Sequence, residues 1–216
     1  LTGLLNPQGE VQADVYLFTI PTTRLAELVR KVSEGYSAEL QRVEYFGAVC
    51  TVLELKRSLV PVYWLNMADP GYPFGGIIEH TRLVGPEEYG GRHLLYLSRY
   101  FANSDALAGQ SPAAIQQVML EGLRRACPHF KEEDLLEVRS FSSRTAAVVS
   151  DLNFSQKVPR CRTPIKRLYL ASMPHIYPDE RSCNNSIRVA AEACRVLGLP
   201  AAVPSCASLS GTINMN

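Results

Sequence analysis

Between Val43 and Phe101 the chain runs through four short apolar, aromatic-rich segments: "EYFGAVCTVLEL", "PVYWLNM", "FGGIIEHTRLV" and "RHLLYLSRYF". The separators "ADPGYP" and "GPEEYGG" are turn chemistry, because Pro presets φ at a bend and Gly tolerates positive φ. Segments of this length, spaced in this way, predict a meandering, mainly antiparallel sheet of about four strands.

The flanking regions have a different texture. "EVQADVYLFTIP" (Glu10 to Pro21) reads as a strand after a turn at "NPQG", and its nearly unbroken apolar core predicts burial on both faces. "TTRLAELVRKVSEG" follows as a helix, with Thr22 or Thr23 as cap, Leu25, Leu28 and Val29 on one face, and Gly35 as the stop. A second helix, "SPAAIQQVMLEGLRRAC", opens on Ser111 with Pro112 at its first position and lines up Ile115, Val118, Met119 and Leu123. A strand is expected within Asp134 to Ser143, and "RTAAVVSDLNFSQKVPRCRTPIK" reads as loop. The closing "RLYLASMPHIYPDERSCNNSIRVAAEA" is a short strand, a polar loop and a helix. That helix opens on Ser182, Asn184 and Asn185, carries Ile187, Ala190, Ala191, Cys194 and Leu197 on one face, and ends at Gly198. "LPAAVPSCASLSGTINMN" reads as a tail.

These readings give an α+β fold in which strand–helix elements at both ends enclose a mainly antiparallel sheet. The expected divisions are 1–36, 37–150, 151–198 and a tail of 199–216. With 22 Lys plus Arg against 21 Asp plus Glu, nothing favours nucleic acid or an anionic membrane as partner. No apolar run approaches the roughly 18 residues that a membrane-spanning helix needs. None of the six cysteines forms a CxxC pair and the four histidines lack ligand spacing, so reduced cysteines, a cytoplasmic location and no metal site are expected. The chain opens on Leu1, directly into strand pattern, which reads as a piece of a longer protein.

The chemistry is concentrated in the closing segment. The first N–H groups of a helix lack intrahelical partners and the dipole adds partial positive charge, so the start at Ser182 suits a pyrophosphate or a cofactor's electron-rich edge. Every helix has such an end, and Ser or Asn there is also ordinary capping.

"RLYLAS…YPDERSCNNSIRVAAEA" resembles the carboxy-terminal FAD-binding segment of flavin-containing amine oxidase-like oxidoreductases, the superfamily of protoporphyrinogen oxidase and phytoene desaturase. "ADVYLFTIPTTRLAEL" resembles the segment in which that family returns from its FAD layer, and "VYWLNMADPGYPFGGIIEHTRLVGPEEYGGRHLLYLSRYF" the substrate-domain strands of the protoporphyrinogen oxidase-like branch. The resemblance covers roughly residues 8 to 198. It implies a partial FAD/NAD(P)-binding-like fold, with FAD held near Pro21, Ala171, Ser172, Ser182, Cys183, Asn184, Asn185, Ser186 and Ile187. Ala171-Ser172-Met173 stands where the family has Gly and an acid, and Cys183-Asn184-Asn185 where it has Met-Glu-Gly, so backbone donors from Asn184 to Ile187 are expected to replace charged side chains. A lysine of the amine-oxidising members has no counterpart near Cys50 and Thr51.

The same resemblance implies a substrate wall made by Tyr63, Trp64, Asn66, Phe74, Tyr96 and Tyr100, with Arg144 as a carboxylate anchor. Aromatic residues on strands are equally at home in a core. Glu79 and His80 should point to opposite faces and make a poor acid–base pair. No catalytic side chain is singled out. No GxGxxG occurs in the chain, so the pyrophosphate grip is expected from a missing amino-terminal half, without which FAD would not be retained and exposed apolar surface would favour self-association. The expected function is the substrate-domain portion of an FAD-dependent oxidoreductase acting on a small hydrophobic or ring-containing substrate. The alternatives are a flavin-free domain that binds a ligand or partner, and a non-redox flavoprotein related to sugar-nucleotide mutases.

Overall fold

The structure, a computed structural model, describes residues 3–200. In chain order the elements are β1 (Leu4–Asn6), β2 (Gly9–Val11), β3 (Tyr16–Phe18), α1 (Thr22–Val29), α2 (Glu34–Gln41), β4 (Tyr45–Leu55), β5 (Trp64–Asn66), β6 (Gly76–Glu79), β7 (His93–Phe101), α3 (Pro112–Ala126), β8 (Leu135–Val148), β9 (Leu168–Leu170) and α4 (Cys183–Leu197). They form two compact units, one holding residues up to Glu44 and from Ser150 onward, the other Tyr45–Val149. The expected tail lies almost wholly outside the described residues.

In the first unit, β1 and β2 make a hairpin whose turn needs the positive φ of 128° at Gly9. Strand β3 pairs in parallel with β9, Tyr16 opposite Leu168. Helices α1 and α2 cover one side of this pair, where Leu25, Ala26, Val29, Tyr36, Leu40, Leu168 and Leu170 form a core. The Ser37 hydroxyl, donating to the Ala26 carbonyl at 2.9 Å, ties the two helices together.

Several expectations fail here for local reasons. Strand β3 is three residues long and one-sided: Tyr16 is buried while Leu17 remains 41% exposed. Pro21, not Thr22 or Thr23, holds the N-cap position of α1, and its carbonyl accepts from Arg24 and Leu25 N–H. Leu28 points outward at 60% exposure because the buried stripe runs through Thr22, Leu25, Ala26 and Val29. Gly35 does not stop a helix but lies in α2, which Ser33 caps by accepting from Tyr36 N–H.

In the second unit, the four expected strands are β4 to β7, and β8 makes a fifth. The order is β5-β6-β7-β4-β8, antiparallel throughout. Residues 144–148, which read as loop, extend β8, because pairing with β4 resumes past an irregularity at Tyr45–Val148 and Phe46–Ala147. Burial alternates along β4, with Val49, Thr51, Leu53 and Leu55 facing α3. Helix α3 starts as expected at the Ser111 cap, which accepts from Ala114 N–H, and packs Ile115, Met119 and Leu123 fully buried onto the sheet. Each such side chain stabilises the fold by about 1.5–3 kcal/mol. Among the described residues no helix is long and apolar enough to cross a membrane.

Candidate functional site

In the first unit the chain leaves β9 at the carboxyl end of the parallel pair, where crevices of α/β sheets hold their ligands. Ala171 N–H still bonds the Phe18 carbonyl at 2.9 Å, which carries the ladder one residue further. Met173–Ile176 then form a single 3-10 turn. His175 folds back so that its Nδ1 accepts from Ser172 N–H at 3.1 Å. Burial pushes the His175 imidazole below its ordinary pKa, against the opposing pull of the Ser172 and Pro159 backbone. Ser172 is 8% exposed; its side chain faces His175 N–H in a capping box, and its hydroxyl proton has no acceptor among the described residues. A buried hydroxyl left unsatisfied costs about 1–3 kcal/mol, so a ligand atom that bonds it recovers that energy.

Helix α4 closes the other side. Ser182 caps it by accepting from Asn185 N–H at 3.2 Å, and the Ser182 carbonyl accepts from both Ser186 N–H and the Ser186 hydroxyl. Arg188 bonds Asp179 at 2.6 Å and fixes the helix start to the preceding loop. Between these elements lies a cavity of about 430 Å³. Its floor is Leu17 and Thr19, its end Ala171, Ser172, Met173 and Ile176, and its wall Ser186, Val189, Ala190, Ala193 and Cys194, with Arg181 at the rim segment. The wall residues follow i, i+3, i+4, i+7, i+8 spacing, one helical stripe of mostly small side chains. The size falls within the range of small-molecule sites.

Of the residues expected beside a cofactor, the fold brings Ala171, Ser172 and Ser186 to this cavity. Ser182, Cys183, Asn184, Asn185, Ile187 and Pro21 are not among those lining it. The expected donors at Asn185 and Ser186 are already used by Ser182, because the cap satisfies them. Ile187 lies one step round the helix from Ser186 and is 57% exposed. The sequence reading missed Leu17 and Thr19, which alternation along β3 signals, and Val189 and Ala193, which the stripe through Ala190 signals. A buried hydroxyl whose proton lacks an acceptor, a small-residue wall and an apolar floor fit the flat ring edge of a flavin.

In the second unit, register sets the face of the sheet that α3 does not cover. One row crosses all five strands as Trp64, Ile78, Tyr96, Val52 and Arg139; the next runs Asn66, Gly76, Ser98, Cys50 and Phe141; Tyr100, Ala48 and Ser143 continue it. Four of the expected wall residues, Trp64, Asn66, Tyr96 and Tyr100, therefore share one face. Trp64 Nε1 donates to Asn66 Oδ1 at 2.7 Å, and Tyr63 stands edge-on to Trp64 at 6.4 Å. His80, just past β6, bonds the Tyr89 hydroxyl through Nε2 at 2.7 Å and sets its ring edge-on to Tyr96. Burial pushes the Tyr96 phenol above its ordinary value, with smaller upward contributions from Tyr89, Cys50 and Tyr63.

One expected wall residue, Phe74, and the expected carboxylate anchor, Arg144, fall elsewhere. Phe74 is 1% exposed and packs under α3, because Gly122 lets the helix come down onto Pro73 and Phe74. Arg144 is exposed and held by Asn103, whose amide in turn donates to the Tyr45 and Arg144 carbonyls at the end of the sheet. Glu79, the neighbour of His80, is fully buried on the α3 side. Among the described residues no group of three or more His, Cys, Asp or Glu side chains is placed to hold a metal ion.

No family model and no curated protein sequence matches the chain. Solved structures do. A protein assigned as a protoporphyrinogen oxidase from Exiguobacterium sp. 255-15 superimposes with a TM-score of 0.68 at 14% identity, over 88% of this chain and 42% of its own. Reduced UDP-galactopyranose mutase gives 0.62 at 14% identity, over 96% of this chain and 47% of its own. An oxidoreductase from Methanosarcina mazei gives 0.54 at 20% identity, over 80% and 40%. The chain thus spans less than half the length of each of these proteins. At such identities the likeness establishes the fold. The sequence resemblance therefore has its structural counterpart: this chain has the fold of a portion of a protoporphyrinogen oxidase-like protein.

Proposed function

We propose that the chain is the flavin-facing and substrate-binding portion of an FAD-dependent oxidoreductase that oxidises a small hydrophobic or ring-containing molecule. The observation that carries this reading is the cavity at the carboxyl end of the β3–β9 pair, with the buried Ser172 hydroxyl, whose proton has no acceptor among the described residues, at its end. In this reading the Ser172 hydroxyl donates to the polar edge of the flavin and the Ser186 oxygen, whose proton goes to Ser182, can only accept from it, while Leu17, Ala171, Ala190 and Ala193 lie against its flat face and exclude water. When bound, the flavin supplies the acceptor for a hydride. The second unit's aromatic face binds the donor molecule. The first unit, residues up to Glu44 and from Ser150 onward, then serves the cofactor, and Tyr45–Val149 carries the substrate face.

The pyrophosphate grip would come from another segment, since these residues contain no GxGxxG. The chain on its own is accordingly proposed not to retain FAD. A cytoplasmic location goes with this reading, because the five described cysteines are free thiols that a reducing compartment preserves. The test is the absorbance spectrum of the full-length gene product after reconstitution with excess FAD and removal of free cofactor. A retained flavin band supports the proposal, and a spectrum without one overturns it.

The extent of the match to UDP-galactopyranose mutase favours a second reading, a flavoprotein without net redox chemistry acting on a sugar nucleotide. Against it, the two arginines on the second unit's aromatic face already have carboxylate partners, Arg139 with Glu137 and Arg92 with Glu54, which a diphosphate there would have to displace. Turnover of a neutral ring substrate with an electron acceptor, but not of a sugar nucleotide, separates the two.

A further inference from the structure

The polar groups on the aromatic face of the second unit narrow what it would bind. His80 Nε2 and the Tyr89 hydroxyl lie 2.7 Å apart, and the stronger hydrogen bond has the phenol donating to the ring nitrogen. That arrangement places the remaining imidazole proton on Nδ1, which makes no hydrogen bond among the described residues. Beside it, 6.0 Å away between ring centres, stands Tyr96, whose hydroxyl also lacks a hydrogen-bond partner there. Two unused donors thus sit on the same face of the sheet as Trp64, which lies two strands from Tyr96 across Ile78 and has Tyr63 edge-on to it. The cations near them, Arg139 and Arg92, are each neutralised by a carboxylate.

We propose that His80, oriented by Tyr89, and Tyr96 are specificity-determining residues that bind an acceptor atom, a carbonyl or ring oxygen, of a neutral planar ring lying against Trp64. This rests on reading that face as the substrate side. Stacking on Trp64 and Tyr63 supplies affinity, while the two donors fix which edge of the ring points inward. An anionic ligand gains little, because Arg139 and Arg92 already have carboxylate partners and it would give up its hydration.

Trp64 is the only tryptophan, so the chain has one indole N–H resonance, and it lies on the face in question. Titration of the isotope-labelled chain with coumarin, a neutral ring bearing a carbonyl, is expected to shift that resonance saturably. Tyr96→Phe and His80→Phe, each removing one donor, should weaken coumarin by about three- to tenfold, the value of one hydrogen bond. Naphthalene-1-sulfonate, of similar size but anionic, should leave the resonance in place. Coumarin binding undiminished in the double variant, coumarin binding that leaves Trp64 unmoved, or equal binding of the sulfonate overturns the proposal. The titration needs no flavin, so its failure is distinguishable from failure of the full-length product to retain FAD.

Discussion

Glu79 offers a sharp test of how the aromatic face is held. Its side chain is fully buried, and Oε2 accepts from Leu59 N–H at 3.0 Å and Val60 N–H at 2.6 Å. Oε1 lies 3.8 Å from Arg82 Nε and 3.7 Å from His93 Nδ1, and Arg82 itself bonds the Val60 carbonyl and the Ser58 hydroxyl. One carboxylate thus pins the segment leading into Tyr63 and Trp64. Glu79→Ala leaves two N–H groups without an acceptor at about 1–3 kcal/mol each, the lower figure applying to the less buried Leu59. Arg82 also loses its counter-charge, so the expected loss is about 3–5 kcal/mol. Glu79→Gln keeps one oxygen for both N–H groups and removes only the charge, for an expected loss of about 1–2 kcal/mol. Urea unfolding at neutral pH, with m held constant, measures both. Losses for alanine and glutamine that agree within error, or an alanine loss below about 1 kcal/mol, would refute this account of the clasp.

Other substitutions probe the packing and the cavity. A Cβ at Gly122 would stand 2.6 Å from the Pro73 ring and 2.9 Å from Phe74. Gly122→Ala should therefore destabilise by about 1–2 kcal/mol in thermal unfolding despite the better helix propensity of alanine. At exposed Gly35 in α2 nothing lies within 4 Å, and alanine should stabilise by roughly 0.5–1 kcal/mol in the same assay. Burial holds the His175 pKa below its ordinary value of 6.5, so the unfolded chain takes up a proton more readily than the folded one. Stability should fall as pH drops through 6.5 toward the lower folded value, and His175→Gln should flatten that part of the unfolding profile.

What could be read from the sequence depended on whether the cause was local. Ser182 and Gly198 bound α4 as expected, and Ser111 with Pro112 opens α3, because caps act through their nearest neighbours. The turns around "ADPGYP" and "GPEEYGG" separated β5, β6 and β7 for the same reason. Residues 144–148 gave no strand signal, since "RTAAV" is extended only by pairing with β4. The cavity wall was missed by about one residue: Ile187 drew the apolar face toward itself, whereas the fold turns Ser186, Val189 and Ala190 inward. Phe74 carries the same aromatic signal as Trp64, and only the close approach of α3 at Gly122 separates a core ring from a surface one.

In the proposed function, flavin is held at the end of the β3–β9 pair. The most direct measurement is the FAD-dependent shift in melting temperature of the full-length gene product, compared with a variant in which Ala190→Trp fills the cavity. Ala190 is exposed on α4, so the larger side chain should leave the fold intact. A clear FAD-dependent rise is expected for the natural protein and its loss in the variant, with the melting temperature without FAD little changed. An undiminished rise in the variant would place the cofactor elsewhere and contradict the proposed function.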